Sequence, residues 1–321
     1  MFNQFIVTKT KLLAENQKAY FYFFDACLRG ISQVVFLNNP ITGLLILLGI
    51  YIQSPWIAAS GILGLCSSTI TAILLKFNRD QWKSGLYGFN GLLIGLACAT
   101  FQQMKGPSIL WTISFSIILG SVSTFFQILL NQIFVKKLKS SSLTFSFNLV
   151  LFLFLIVGLK HTNTGLILTK TTSTVTSLTA LNLLEALLRG ISQIFLSDNI
   201  ISAGFILVGI FVGSRVVALW AILGSAIGTL MAFTLGAPEE SIISGLWQYN
   251  ASLGCLAIGG VFFSWSKRIF ILAILCGVLS TLLTGALSVL FSENLPFATL
   301  PFCLATTAFI ITIKKLPNSN Q

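Results

Sequence analysis

The sequence predicts an all-α, polytopic membrane protein made of two inverted-topology repeats, and three observations predict it. Apolar segments long enough for bilayer crossing recur along the chain, a polar cassette returns at a constant offset, and equivalent loops in the two halves differ in charge.

Hydrophobic residues fill 55% of the 321 positions and charged residues only 8%, whereas an ordinary soluble domain has about 25% charged residues. A membrane-crossing helix needs about 20 apolar residues. Candidate spans fall at Leu44–Leu75 (broken near Pro55), Ile109–Val135, Phe147–Leu159, Ser202–Leu235 and Ile269–Phe291. In lipid every backbone polar group needs an internal partner, and the alternation of a membrane β-barrel is absent, so the spans are helices. No short apolar region with a small-residue cleavage site marks the N-terminus, so the first span is expected to stay in the membrane.

The net charge of +11 sits in short clusters between apolar segments. Such clusters read as topology signals, not as a nucleic-acid face. The six cysteines, Cys27, Cys66, Cys98, Cys255, Cys276 and Cys303, lie in apolar surroundings without CxxC spacing, which makes them packing residues and leaves no predicted metal site or cofactor.

The repeated cassette is DACLRGISQVVF at 25–36 and EALLRGISQIFL at 185–196. The offset of 160 also matches Gly49 with Gly209, Gly64 with Gly224, Thr69 with Thr229, Ala72 with Ala232, and GLYGFN at 85–90 with GLWQYN at 245–250. A period held over this length indicates duplication. Residues 1–165 form the first predicted half, 166–180 a Thr/Ser-rich connector, and 181–321 the second half. Basic Lys76–Lys83 faces acidic Gly236–Glu240 in the alignment of halves, and Lys136-Lys137-Leu138-Lys139 faces Ser292-Glu293-Asn294. Loops of unlike charge favour opposite membrane sides, hence inversion about an axis in the membrane plane.

Inversion requires an odd number of crossings per half, yet about six apolar segments can be counted in the first. At least one segment per half is therefore expected to be re-entrant or broken, which lipid tolerates only where the backbone is buried or lines a cavity. Break points are predicted at Asn38-Asn39-Pro40, at GLYGFN and GLWQYN, and around Thr144–Phe147 and Thr299–Phe302.

Within the cassettes, Asp25 and Arg29, like Glu185 and Arg189, stand four apart with the acid first, the favourable order for a helical ion pair. These pairs are predicted to staple the helix. Gln33 and Gln193 have no evident charged partner, and an intramembrane amide serves either as interhelical glue or as a pathway residue. Phe89 and Tyr249 each follow the glutamine by 56 residues, with Leu93 and Leu253 four residues further on; by pattern such pairs suit core packing as well as a passage. Thr144 and Thr299 each precede a phenylalanine by three positions. Their hydroxyls either enter a passage or bond back to their own helix.

Enzyme chemistry finds little support. The only histidine, His161, lies in the polar connector, and HExxH, Walker A and nucleophile-elbow motifs are missing. Acids other than Asp25 and Glu185 fall in loops or termini, so no proton relay or sodium site is evident. Passive movement of a small neutral polar solute is favoured over coupled pumping. Two other readings are a pore for ammonia or a short amide and a non-transporting membrane scaffold or sensor.

At RGISQVVFLNNPITG, GLYGFN, GLWQYN and LPFATLPFCLATT the chain resembles the urea transporter family, from about residue 20 to about residue 315. The resemblance implies a homotrimer in the plasma membrane, the inner membrane in a bacterium. Each protomer would have its own pore, formed by two inverted halves of five membrane helices and a re-entrant segment. It implies channel-type permeation of urea without a cofactor, with lipid as the surrounding partner and no nucleic acid. Carried over residue by residue, Gln33 with Val34 and Gln193 with Ile194 occupy the two ends of the filter. Phe89 with Leu93 and Tyr249 with Leu253 form the apolar slot, and Thr144 and Thr299 its middle. The chain departs from the family at Gln193, where some bacterial relatives carry glutamate, and at Tyr249, where phenylalanine is common. Ser146 and Ile200 stand where proline is expected, exchanges that soften the predicted breaks.

Overall fold

The computed structural model describes residues 20–102, 108–160, 179–291 and 295–316, and the regular elements among them are helices. The first seven are α1 (20–33), α2 (Pro40–Gln53), α3 (Pro55–Leu74), α4 (Arg79–Lys83), α5 (Phe89–Phe101), α6 (Ser108–Ile133, extended by a π-helical turn at Phe134–Leu138) and α7 (Phe145–Lys160). Seven counterparts follow: α8 (Ala180–Ser192, tightening into a 3₁₀ turn at Gln193–Phe195), α9 (Ile200–Gly213), α10 (Arg215–Thr234), α11 (Glu239–Ile243), α12 (Tyr249–Cys255, continued by a π-helical stretch at Leu256–Phe262), α13 (Lys267–Leu290) and α14 (Leu300–Lys315). α8 starts inside the expected connector, with the Thr179 hydroxyl accepting from Asn182 N. Most of that connector, His161 and the Ser292–Asn294 loop lie outside the described residues.

α3, α6 with its π turn, α10 and α13 are long and apolar enough to cross a bilayer unbroken, and α8 and α9 form an apolar pair bent by 72°, the geometry of a broken span or a re-entrant loop. The protein is thus a polytopic all-α membrane protein. Shorter apolar helices, α2, α5, α7 and α12, fill the space between them.

The sequence explains each break. α1 ends where Phe36 takes a left-handed φ of 59°, and α8 ends likewise at Leu196 with φ 55°. Ser32 ties the first corner by donating to the carbonyls of Leu37 (2.6 Å) and Arg29 (2.9 Å), as Ser192 does to Ser197 (2.7 Å) and Arg189 (3.0 Å). The next helices begin on asparagine caps: Asn39 Oδ1 accepts from Ile41 N and Thr42 N, Asn199 Oδ1 from Ile201 N and Ser202 N. Such a cap is worth about 1 kcal/mol. The break ahead of α9 therefore persists with Ile200 in place of a proline, because the asparagine and the left-handed residue set it.

The two halves meet through reciprocal contacts of α2 and α9. Thr42 Oγ1 donates to the Gly209 carbonyl at 2.8 Å. A Cβ on Gly49 would stand 2.9 Å from the Ser202 carbonyl oxygen and against Phe205 and Ile206, while one on Gly209 would meet Thr42, Leu45 and Ile46. Each contact is its partner's mirror at the repeat offset, the signature of a two-fold relation. Advancing along α2 from 42 to 49 moves the contact back along α9 from 209 to 202, so these helices run antiparallel. An antiparallel relation between counterpart helices is what inverted repeats require.

Glycine lets α5 lie close on α3. A Cβ on Gly91 would collide with the Gly64 carbonyl, and one on Gly95 with the Ser60 carbonyl. Gly91 and Gly95 form the small-xxx-small spacing that brings membrane helices together without a hydrophobic driving force.

Candidate functional site

The cassette and the GLYGFN motif are two parts of one construction. Gly85 has φ +79° and Gly245 φ +83°, and a Cβ on either would run into the backbone nitrogen of Gly30 or Gly190. This close approach brings the residue before each turn glycine to the cassette glutamine. Gln33 Nε2 donates to the Ser84 carbonyl and Gln193 Nε2 to the Ser244 carbonyl, both at 2.9 Å. A carbonyl only accepts, so the amide nitrogen must face it. Among the described residues neither Oε1 takes a protein partner, leaving an acceptor at each end.

The charged pairs stand apart from those acceptors. Arg29 Nε meets Asp25 Oδ2 at 2.6 Å and Arg189 Nη2 meets Glu185 Oε2 at 3.0 Å, with all four side chains about a quarter to a third exposed. Arg29 also donates to the Asn38 side chain (2.9 Å) and carbonyl (3.1 Å), locking the corner after α1.

Val34, Ile194, Phe89, Leu93, Tyr249 and Leu253 are all buried in one apolar cluster. Asn90 and Asn250, next to the aromatics, reach across to α7 and α14: Asn90 Oδ1 accepts from Phe147 N at 3.3 Å and Asn250 Oδ1 from Phe302 N at 3.2 Å. Each thereby satisfies an N–H in the first helical turn that has no intrahelical partner. Sequence reasoning missed both asparagines, although they close the two repeated motifs it singled out.

The Tyr249 hydroxyl donates to the Ala298 carbonyl at 2.6 Å, and Asn250 Nδ2 approaches the same oxygen at 3.2 Å. The hydroxyl therefore occupies one backbone acceptor and offers its own oxygen in exchange. Ala298 (φ 46°) and its counterpart Leu143 (φ 47°) are both left-handed. That conformation costs about 1–2 kcal/mol in an ordinary residue; it turns the chain into α14, where Pro301 sits in the first turn, and into α7, where no proline stands. Ser146, at the second position of α7, instead donates to the Ser123 carbonyl at 2.5 Å and fastens α7 to α6.

α7 and α14 meet at their N-termini. Thr144 Oγ1 and Thr299 Oγ1 are 2.7 Å apart, while Lys314 near the far end of α14 donates to the Lys139 carbonyl ahead of α7. Asn148 and Cys303 complete this waist: Asn148 Nδ2 donates to the Thr144 carbonyl (2.9 Å) and to Thr299 Oγ1 (3.0 Å), and Cys303 Sγ lies 3.1 Å from Thr144 Oγ1.

Contacts thus join Gln33 to Ser84 and Gln193 to Ser244, while Thr144, Asn148, Thr299, Cys303 and, through Ala298, Tyr249 and Asn250 form one connected set across the two repeats. Buried polar side chains among the described residues are Ser, Thr, Asn and Gln only, with no charge among them. The positive ends of two helix dipoles face the waist. These contacts set neutral oxygen acceptors beside buried apolar side chains, chemistry that suits a neutral donor-bearing solute better than a cation.

The sequence model of one family, described as "Urea transporter", matches residues 24–314. Among relatives, "Urea transporter 1" of Ovis aries and that of Capra hircus are each 37% identical over 304 residues, covering 92% of this chain and 78% of the relative. "Urea transporter 1" of Mus musculus is 36% identical over the same span.

Proposed function

The chain belongs to the urea transporter family, and from that premise we propose that urea permeates along the line joining Gln33 to Gln193. It is a channel-type transporter of urea and not an enzyme. Gln33 and Gln193 are the acceptors at the two ends. Val34, Phe89 and Leu93, with Ile194, Tyr249 and Leu253, press on the flat faces of the solute, and Thr144 and Thr299 receive its N–H groups in the middle.

The observation that carries this reading is the neutral, two-fold repeated set of oxygens between apolar walls. Taking an amide into an apolar environment without hydrogen bonds costs about 2–7 kcal/mol. Acceptors along the edge offset that loss for urea, and the apolar walls offer nothing to a hydrated ion. With no buried carboxylate among the described residues, the driving force is the urea gradient alone.

Residues 1–165 and 181–321 are the two inverted repeats of this reading, joined at 166–180. The assembly is a homotrimer with one pore per protomer, in the plasma membrane or bacterial inner membrane. Exposed apolar residues, among them Ile118, Leu219 and Leu290, give a surface more apolar than a water-soluble monomer presents, one suited to lipid and to neighbouring protomers.

Proteoliposomes containing the purified chain are expected to equilibrate urea much faster than empty vesicles. The rate should saturate only at high urea and be unchanged when proton and sodium gradients are collapsed. Urea efflux equal to that of empty vesicles sinks the proposal.

A further inference from the structure

Asn148 belongs to neither the cassettes nor the slot, and its amide is half-used. It lies one turn into α7 from Thr144 and is 2% exposed. Nδ2 donates to the Thr144 carbonyl at 2.9 Å and Thr299 Oγ1 at 3.0 Å, with Cys303 Sγ at 3.6 Å. The carbonyl of Thr144 cannot donate, so nitrogen must occupy this side of the amide. Oδ1 is thereby turned away from the knot, and it is buried with no protein partner.

A buried acceptor left unpaired costs about 1–3 kcal/mol, and native proteins keep few of them. The asymmetry is informative. Thr144 and Thr299 are 155 residues apart, and the same offset carries Asn148 onto Cys303, whose thiol is a weak acceptor. The waist therefore has two hydroxyls related by the two-fold and one strong acceptor that is not duplicated.

We propose that Asn148 is a further solute-binding residue, whose Oδ1 accepts an N–H from urea as it passes the Thr144–Thr299 pair; this rests on the passage proposed above. Urea carries N–H groups on two nitrogens and can serve the threonine oxygens and Oδ1 together. Formamide has a single nitrogen and serves one set at a time. Asn148 is in this way a determinant of urea over simpler amides. Its N–H bond to Thr299 Oγ1 also holds that residue in place, so a purely structural role must be separated from binding.

The test uses the full chain in proteoliposomes, with urea and formamide efflux measured side by side in wild type, Asn148→Cys and Asn148→Ser. Asn148→Cys copies the second-half residue, and either variant suffices once its size-exclusion profile matches wild type. Loss of the acceptor is expected to lower the urea-to-formamide ratio about tenfold, the factor that corresponds to ~1.4 kcal/mol. A waist that only narrows slows both solutes and leaves the ratio near its starting value. An unchanged ratio in a folded variant, with wild type conducting urea, overturns the role of Asn148 and leaves the passage intact. Absence of urea efflux in wild type would instead overturn the passage itself.

Discussion

At the scale of single residues, the five letters shared by the cassettes have separate tasks. Arg29 and Arg189 hold the helix to an acid one turn earlier, Gly30 and Gly190 admit a turn glycine, Ile31 and Ile191 are buried core residues, Ser32 and Ser192 tie the corner, and the glutamine presents an oxygen. This division makes opposite predictions for neighbours in sequence. Gln33→Leu removes an acceptor and strands the Ser84 carbonyl, so urea efflux should fall about tenfold for the loss of one hydrogen bond; stopped-flow light scattering reads it. Arg29→Gln should lower stability by about 1 kcal/mol, the scale of a partly exposed pair, while urea efflux per folded protein stays at the wild-type level. Loss of flux per folded molecule in Arg29→Gln would make the charge part of the passage.

At the scale of elements, helix packing without space for side chains is the feature most exposed to substitution. Gly91→Val drives two methyl groups toward the Gly64 carbonyl and Ser68. Overpacking usually costs about 1–3 kcal/mol, and backbone on the other side leaves little room to relax. Thermal unfolding followed by size-exclusion should show a clear loss of folded protein. Gly204 on α9 has nothing within 4 Å of a placed Cβ, so Gly204→Ala should be neutral or raise stability by up to about 1 kcal/mol through helix propensity. Apolar length, the Asn38-Asn39-Pro40 turn and the repeat made most helices and several breaks readable, because those signals are local; the break at Ser214, inside the expected span Ser202–Leu235, was not. Ser84, Asn148 and Ala298 were not. A backbone carbonyl has no letter of its own in a sequence, and the value of Asn148 arises only when α7 meets α14 across 155 positions. The same holds for Tyr249, whose hydroxyl had open uses in sequence and in the structure engages the Ala298 carbonyl.

At the scale of the whole molecule, duplication makes one polar cassette the two ends of the proposed route. In the proposed passage, inversion accounts for a chain with so few charges repeating the same five residues, since each copy would serve the solute from its own side of the bilayer. The proposed lining contains Gln, Thr, Asn and apolar side chains, together with Tyr249, and none of the first groups titrates near neutrality while ordinary tyrosine ionises only near pH 10. Urea efflux should accordingly stay constant between about pH 6 and pH 8, and a sigmoidal pH profile in that range would call for an ionisable group in the path. The centre of the account is the meeting of Thr144 and Thr299 at the pseudo-two-fold axis. The most direct measurement is stopped-flow urea efflux from proteoliposomes containing Thr299→Val, which keeps the side-chain shape and removes the hydroxyl. The account predicts efflux reduced by about tenfold or more in a protein that elutes as wild type, the cost of one lost hydrogen bond at the waist; efflux at the wild-type rate would contradict it.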